Sequence, residues 1–574
     1  MTEPAPPDET GLARSSELWS LCERYWQDQL TAQPLLATFL GVHDHDDRIE
    51  DISEDGDARH RASLVRTAER LDSIEPGLRS EADAVTASLL RHQIEVAVHA
   101  IDLRVTELAS DHMEGPHSSL LMVLPQLSYP EPAHAEAALT RYAQVPALLG
   151  QAIDRFRAGV AAGRTPAAAV LARTLNTLDA YLDGPIEQDP FLAASLPESW
   201  AGVRAWTDEA AAVVRERIRP AFAAYRGVLA AELVPAARDD EHAGWCWLPD
   251  GADLYGAAIR AHTTLDRSAE ELHDLGRQLC ERDLPREFAA LGEEEFGLAG
   301  GDLPAIFERL RNDPSLRHRD ADEVLETARS SVERATRRMT NWFGRLPGAP
   351  CRVEPIPDFL AADAPYAYYF PPAPDGSRPG TYFINTADPQ GSSRTEAESI
   401  AFHEAIPGHH LQIAISQELD DLPEFQRHEG STAYVEGWGL YAERLADEMG
   451  LYSTGLDRLG MLTADSWRSA RLVVDTGLHA LGWSRQRAID YFVDHTPVPV
   501  DQIAPEVDRY LAMPGQALAY KVGQLEIERL RAEAGSRLGD RFELAAFHDL
   551  VLGSGAVTLP VLSTMVDRWT TSFS

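Results

Sequence analysis

The sequence predicts a mainly α-helical protein with one small β-sheet, and three observations favour this fold class. From about residue 17 to residue 232, and again from residue 245 to about residue 343, apolar residues recur at a spacing near 3.6. Between residues 352 and 386 the pattern changes to tyrosine-rich and β-branched runs. The helical pattern then returns at Thr395 and continues to the end of the 574 residues.

The helical segments suggest two lobes. The Pro-rich interruptions at residues 124–132 and 184–197 are short enough to be loops between helices, and a new segment starts at Trp245. We therefore predict an N-terminal helical lobe over residues 1–244 and a second lobe over residues 245–574, with a β insertion at about residues 351–386. The alternative is one continuous domain.

The β insertion contains two strand-like runs, which are separated by a segment of turn-forming residues. Ala367-Tyr-Tyr-Phe and Thr381-Tyr-Phe-Ile-Asn are separated by Pro-Asp-Gly-Ser-Arg-Pro-Gly. This arrangement predicts a small antiparallel sheet. A strand edge can pair with an extended peptide, so the strand containing Tyr382 is a candidate for substrate binding. The alternative is a structural hairpin.

Composition and charge exclude several classes of protein. The 91 acidic residues outnumber the 52 basic ones and give a net charge of -39, which opposes binding to nucleic acids and to anionic membranes. The four cysteines form no CxxC pair, so neither a disulfide framework nor a cysteine zinc site is expected. The acidic N-terminus resembles no signal peptide, and no run of about 18 apolar residues occurs. We therefore expect a cytoplasmic protein.

The segment that carries chemistry begins with a His-Glu pair. Thr395-Glu-Ala-Glu398 matches a capping box, and the helix it predicts contains His403 and Glu404. In the HExxH signature, histidines at i and i+4 bind zinc while the glutamate acts as general base, but here i+4 is Pro407. If Pro407-Gly408 bulges out of the helix, His409 falls where the second ligand belongs. The alternative is a kinked helix whose histidines are structural.

A third ligand is needed, and Glu436 is the candidate. It lies 33 residues after His403 on a predicted helix, between Val435 and Trp438, where a solvated charge is poorly placed. The alternative is an ordinary exposed glutamate. His410 is a reserve for the second histidine, because i+7 returns to the same helix face.

Several motifs together resemble the bacterial family called domain of unknown function 885, which is similar to zincin metallopeptidases of the Glu-ligand type. The motifs are His403-Glu-Ala-Ile-Pro-Gly-His-His-Leu-Gln, Glu436-Gly-Trp-Gly-Leu-Tyr-Ala-Glu, Asp475-Thr-Gly-Leu-His and Pro514-Gly-Gln-Ala-Leu-Ala-Tyr-Lys. The resemblance spans nearly the whole chain. It implies a large multi-helix fold with a deep cleft and a divalent metal, and it favours His409 over His410 as the ligand.

Two further helices supply supporting candidates. Arg468, Arg471 and His479 share one helix face, where His479 would stabilise an oxyanion and the arginines would hold a substrate carboxylate. An exposed polar stripe explains the same spacing. Tyr520 resembles the phenol that other helical zinc peptidases present to the tetrahedral intermediate, although tyrosines on helices are more often packing residues. A separate segment, His43-Asp-His-Asp-Asp, has metal-like composition but is more typical of a solvated turn.

These observations predict a zinc-dependent hydrolase that cleaves an amide bond in short peptides or small amides. One Zn²⁺ per chain is expected on His403, His409 and Glu436, or another divalent metal, with Glu404 as general base. Partners are the small substrate and at most a second copy of the chain, as a monomer or homodimer, without nucleic acid or membrane. The alternatives are a biosynthetic enzyme that acts on a small metabolite at the same metal site, and a catalytically silent helical scaffold.

Overall fold

The computed structural model describes residues 15–573, except residues 79, 198, 299–300, 358–364, 374–375 and 377. The fold is mainly helical, as predicted, and the backbone divides into two compact units. Unit 1 comprises Met1–Ala257, Leu478–Gln486 and Asp508–Pro514, and unit 2 comprises Ala258–Gly477, Arg487–Val507 and Gly515–Ser574. The long first segment of unit 1 thus ends at Ala257, 13 residues after the predicted boundary at residue 244. Two short segments from late in the chain also belong to unit 1, which the predicted division places in the second lobe.

Unit 1 is built from helices around an aromatic core. Its helices are α1 (Ser16–Ala32), α2 (Pro34–Phe39), α3 (Glu54–Ile74), α4 (Glu81–Asp102), α5 (Pro116–Val123), α6 (Pro132–Tyr142), α7 (Val145–Ala161), α8 (Ala168–Asp183), α9 (Val203–Val213) and α10 (Arg219–Val228), and α11 (Gly251–Thr263) begins in this unit. Tyr142, Phe191, Phe222 and Tyr225 are fully buried in its core, and burial of each such side chain contributes roughly 1.5–3 kcal/mol.

Unit 2 contains the remaining helices and the sheet. The helices are α12 (Ala269–Gln278), α13 (Leu284–Phe296), α14 (Leu303–Asn312), α15 (Ala321–Thr336), α16 (Ala397–Glu404), α17 (His409–Gln417), α18 (Glu424–His428), α19 (Thr432–Glu448), α20 (Gly455–His479), α21 (Arg485–His495), α22 (Val500–Ala512), α23 (Ala519–Leu538), α24 (Leu544–Leu552) and α25 (Leu559–Ser572), of which α20, α21 and α22 also contribute residues to unit 1.

The sheet is mixed and not antiparallel throughout. Its strands are β1 (Cys351–Pro355), β2 (Ala367–Phe370) and β3 (Gly380–Ile384), in the order β1-β3-β2. β2 and β3 pair antiparallel as predicted, whereas β1 pairs parallel to β3. Strand β1 carries one β-branched residue and ends in proline, so its sequence is weakly strand-like.

Helices α19 and α23 approach each other at two glycines. A Cβ on Gly437 would lie 2.5 Å from the Cα of Gly523, and a Cβ on Gly523 would lie 1.7 Å from the carbonyl oxygen of Ala433. No side chain fits between two backbones at that distance. The contact therefore fixes the position of α19, the helix that carries Glu436.

Helix α16 begins without the predicted capping box. Its N-cap is Glu396, which makes no side-chain capping bond, and the first helical residue is Ala397. The Glu398 carboxylate accepts hydrogen bonds from Arg334 at 2.6 Å and from the Ser453 hydroxyl at 2.6 Å. The Glu398 carboxylate is therefore bonded to Arg334 on another helix, and it does not cap the start of α16.

None of the described helices is both long enough and apolar enough to cross a membrane.

Candidate metal centre

The metal-binding segment is a helix that breaks and restarts. Helix α16 ends at Glu404 and α17 begins at His409, so the four residues between them leave the helix where Pro407 lacks an N–H. The Trp438 indole donates to the Pro407 carbonyl at 2.9 Å and holds the break in place. A Cβ on Gly408 would lie 1.9 Å from the carbonyl oxygen of His403, so only glycine fits there.

This break brings three ligand-type side chains together. His403, His409 and Glu436 each offer one ligand atom, and these atoms lie within 4.8 Å of one another. The Glu436 carboxylate oxygen is 3.6 Å from His403 Nε2 and 3.5 Å from His409 Nε2. The two imidazole rings are nearly perpendicular, at 85°. The predicted triad is therefore assembled in one place.

The spacing of these atoms suits a metal ion better than direct hydrogen bonds. Two ligand atoms that are each about 2.0–2.1 Å from a tetrahedral zinc ion lie roughly 3.4 Å apart. Hydrogen bonds between nitrogen and oxygen are typically about 2.7–3.2 Å. Two imidazoles and one carboxylate are also a known donor set for catalytic zinc, with a fourth position open. The residues present thus fit a zinc ion.

Glu443 orients the first histidine. Its Oε1 lies 2.8 Å from His403 Nδ1, and its Oε2 accepts a hydrogen bond from the Ser399 hydroxyl at 2.6 Å. A carboxylate on the distal nitrogen fixes the tautomer of a metal-binding histidine and leaves Nε2 free to ligate. Glu443 has no role among the sequence predictions, although it lies two helical turns after Glu436 and so shares its face of α19.

The ligand site is tightly packed and holds a proton when no metal is bound. A Cβ on Gly439 would lie 2.6 Å from Cε1 of His403, so the ring occupies space that only glycine leaves. Burial lowers the pKa of His403, but the Glu436 and Glu443 carboxylates outweigh burial and raise that pKa to about 9. Burial alone would raise the pKa of Glu436, yet His403 and His409 hold it well below its usual range.

Glu404, the predicted general base, is partly exposed at the C-terminal end of α16. Its carboxylate is near enough to add to the upward shift in the pKa of His403 and of the Tyr382 hydroxyl. The role of Glu404 as general base stays a prediction.

His410 contacts residues outside the ligand cluster. Its Nδ1 is 2.9 Å from the Tyr369 hydroxyl on β2, and its Nε2 is 3.1 Å from the carbonyl oxygen of Ala349. Burial lowers its pKa to about 4, so the ring is neutral. Both ring nitrogens are used in these contacts, and His409 is the histidine that faces Glu436.

His479 is also committed to the backbone, within unit 1. Its Nδ1 accepts from the Trp245 N–H at 3.1 Å, and its Nε2 donates to the Tyr510 carbonyl at 3.1 Å. Burial lowers its pKa to about 3. A ring with both nitrogens in use cannot also donate to an oxyanion, so the predicted oxyanion role of His479 is wrong.

The two arginines and Tyr520 lie on neighbouring helices of unit 2. The Arg471 guanidinium is 4.6 Å from the centroid of the Tyr520 ring and 3.3 Å from the Glu506 carboxylate. Arg468 donates to the carbonyl oxygen of Ala464 at 3.3 Å. The structure thus joins Arg471 to Tyr520. Their roles towards a substrate, and that of Arg468, stay predictions.

The substrate-edge role of the Tyr382 strand is wrong. Tyr382 lies on β3, the middle strand, and its backbone is paired on both sides, with Val353 and with Tyr369. No edge remains there for an extended substrate. The Tyr382 side chain is fully buried, and its hydroxyl has no hydrogen-bond partner within the described part of the chain.

Comparison with protein families identifies the chain. A family model described as "Bacterial protein of unknown function (DUF885)" matches residues 34–566. The chain belongs to this family. The resemblance found in the sequence motifs is therefore confirmed. No curated protein is significantly similar to this DUF885 chain.

Solved structures extend the comparison. A crystal structure described as a "putative lipoprotein" from Colwellia psychrerythraea is 27% identical, with a TM-score of 0.89 over 97% of this DUF885 chain and 99% of the other. A second structure, described as a "putative lipoprotein of unknown function" from Shewanella oneidensis, is 18% identical, with a TM-score of 0.73 over 96% of this chain and 100% of the other. A "putative oligoendopeptidase F" from Bacillus anthracis covers 96% and 95% at 13% identity, but its TM-score of 0.31 is too low to carry an argument.

These neighbours contradict the predicted cytoplasmic location. The Colwellia and Shewanella proteins are both described as lipoproteins, a class held at a membrane by an attached lipid. The prediction relied on cysteine usage and on the absence of a recognisable signal segment. Neither observation bears on attachment of a lipid, and the predicted cytoplasmic location is wrong.

Proposed function

We propose that this protein is a zinc-dependent hydrolase that cleaves an amide bond in short peptides or small amides. The observation that carries the proposal is the convergence of His403, His409 and Glu436, with Glu404 directly after His403 in the chain. A histidine pair, a carboxylate ligand and an adjacent glutamate are the groups needed for hydrolysis at catalytic zinc.

Each residue has a role that follows from its place. His403 and His409 would bind the ion through Nε2, with Glu436 as the third ligand and Glu443 holding His403 in the ligating tautomer. A bound zinc ion polarises a carbonyl group and lowers the pKa of water towards about 7. Glu404 accepts the proton of the attacking water and returns it to the leaving amine.

Burial of the ligands supports a slender substrate. His403 and His409 are only 4% and 8% exposed, and the Glu436 side chain is 20% exposed. Ligand residues with so little exposed surface favour an extended peptide or a small amide over a folded protein. We therefore propose short peptides or small amides as the substrate class.

Metal analysis tests the ligand set. Zinc per chain is measured by mass spectrometry on the purified native protein, His409→Ala and His410→Ala after zinc loading and removal of free metal. We expect the native protein to hold about one equivalent more than His409→Ala, and His410→Ala to match the native protein. Equal zinc in the native protein and His409→Ala would refute the assigned centre.

Activity tests the reaction. The zinc-loaded protein is incubated with a library of short peptides, and Glu404→Gln serves as the matched variant because it keeps the shape of the side chain. We expect cleavage by the native protein and none by Glu404→Gln at unchanged zinc content. Turnover retained in Glu404→Gln would refute the general base. Zinc binding without cleavage of any peptide would favour the metabolite-directed enzyme instead.

A further inference from the structure

A second group of metal-type side chains lies in unit 1, far along the chain from the first. His43, Asp46 and His134 each offer one ligand atom, and these atoms lie within 4.8 Å of one another. His43 and Asp46 belong to the loop between α2 and α3, and His134 lies in the first turn of α6. The sequence favours a solvated turn for this loop, but Asp46 is only 1% exposed.

The loop is held in place before any ligand binds. The buried guanidinium of Arg141, on α6, donates to the carbonyl oxygens of Arg48 at 2.6 Å and His45 at 2.8 Å. The Gln144 amide donates to the carbonyl of Asp47 at 2.7 Å. Three successive parts of the loop are therefore fixed to the same helical region that carries His134. A preorganised backbone lowers the entropic cost of ion binding.

The Asp46 carboxylate has a fixed direction. Its Oδ1 accepts from the Thr38 hydroxyl at 2.5 Å and lies 3.7 Å from Arg141 Nη2. Its Oδ2 lies 2.8 Å from His43 Nδ1. One oxygen is thus committed to the protein interior. The other lies within hydrogen-bond distance of His43, so an ion that binds here replaces that contact. The nearby Arg141 charge weakens the attraction of this carboxylate for a cation.

The two histidine rings lie against each other. They stack in parallel, with centroids 4.1 Å apart and planes 8° from each other. The Nδ1 of His134 is buried, and among the residues described it has no hydrogen-bond partner. A buried nitrogen without a partner costs free energy unless a ligand or water satisfies it.

We propose that His43, Asp46 and His134 form a second metal site, which takes a divalent transition-metal ion of the zinc type and ties the loop to α6. Two imidazoles with one carboxylate favour zinc-like ions, whereas calcium and magnesium prefer oxygen ligands alone. Parallel rings direct their lone pairs the same way, so one ring tilts when the ion binds. His134 is the ring that can tilt, because its Nδ1 has no hydrogen-bond partner among the described residues.

The test removes the first centre so that its zinc does not interfere. In the His409→Ala background, zinc is counted by mass spectrometry after loading and removal of free metal, and the melting temperature is recorded with and without zinc. We expect about one equivalent and a higher melting temperature with zinc. The double variant His409→Ala/His134→Phe keeps an aromatic ring to stack on His43 but offers no nitrogen, and we expect it to lose both effects.

The control is His409→Ala/His45→Ala. His45 belongs to the same loop and contributes only its carbonyl to Arg141, so this variant should keep the zinc. No zinc in folded His409→Ala would overturn the second site, as would zinc that persists in the His134→Phe double variant. The first centre is judged separately, by the difference between the native protein and His409→Ala, so the two proposals fail independently.

Discussion

Glu443 offers the sharpest test of how the metal centre is built, because it binds no metal itself. In Glu443→Gln the side chain keeps its shape, and an amide oxygen still accepts from His403 Nδ1, but the charge that orients and polarises the ring is lost. The native contacts are 2.8 Å to His403 and 2.6 Å to the Ser399 hydroxyl, both in a buried environment. Loss of such a partner typically weakens metal binding about 10–100-fold. That range corresponds to about 1.4–2.7 kcal/mol.

Glu443→Ala removes more than the charge. It leaves the Ser399 hydroxyl and His403 Nδ1 buried without their carboxylate, and each such group costs about 1–3 kcal/mol. We therefore expect Glu443→Ala to lower the stability of the metal-free protein as well as its zinc affinity, whereas Glu443→Gln lowers mainly the affinity. The two variants separate positioning of the ligand from simple loss of packing.

The assay is competition for zinc against a chromophoric chelator, with urea unfolding of the metal-free protein alongside. Glu448→Gln is the matched control, because Glu448 lies on the same helix but forms a surface ion pair with Arg531. We expect the control to bind zinc as tightly as the native protein. Native zinc affinity in Glu443→Gln would refute the claim that this carboxylate tunes His403.

Three further predictions concern the same centre. Gly439→Ala should abolish zinc binding because its Cβ would displace His403, whereas Gly535→Ala, whose Cβ has no neighbour nearer than 4.0 Å, should bind zinc normally and gain about 0.5–1 kcal/mol; equal zinc content in the two would contradict the steric argument. His410→Ala should lose about 1–3 kcal/mol of stability in urea unfolding while keeping its zinc, and loss of zinc there would reopen the choice of ligand. Because the pKa of His403 is raised to about 9, zinc must displace a proton, so apparent affinity should rise as pH rises towards 9. The raised pKa of His403 also stabilises the metal-free protein most below pH about 6.5, and this contribution to stability should disappear as pH passes 9. A zinc affinity that does not change with pH would exclude proton displacement from His403.

Local chemistry made much of the metal segment predictable. Proline at 407 cannot continue a helix, and glycine at 408 can follow it through a tight bend, so the break could be expected from two residues. Glu436 could be expected because a charge among Val435 and Trp438 needs a partner. In both cases the deciding interaction is encoded within a few positions of the chain.

Contacts between distant segments could not be predicted in this way. Helical periodicity places His479 on a polar face, but it cannot show that the backbone of Trp245 and Tyr510 occupies both ring nitrogens. Strand β1 escaped notice because its pairing to β3, and not its own composition, makes it a strand. His134 lies far from His43 in sequence, so their stacking is visible only in three dimensions.

The contact between Gly437 and Gly523 has a mechanical consequence for the centre. Two backbones meet there without intervening side chains. The position of α23 therefore determines how far Glu436 projects towards His403 and His409. Chemistry at the ligands therefore depends on a helix that contributes none of them. Adding one methyl group at Gly523 would increase the separation between α19 and α23. Zinc affinity would then report on that separation.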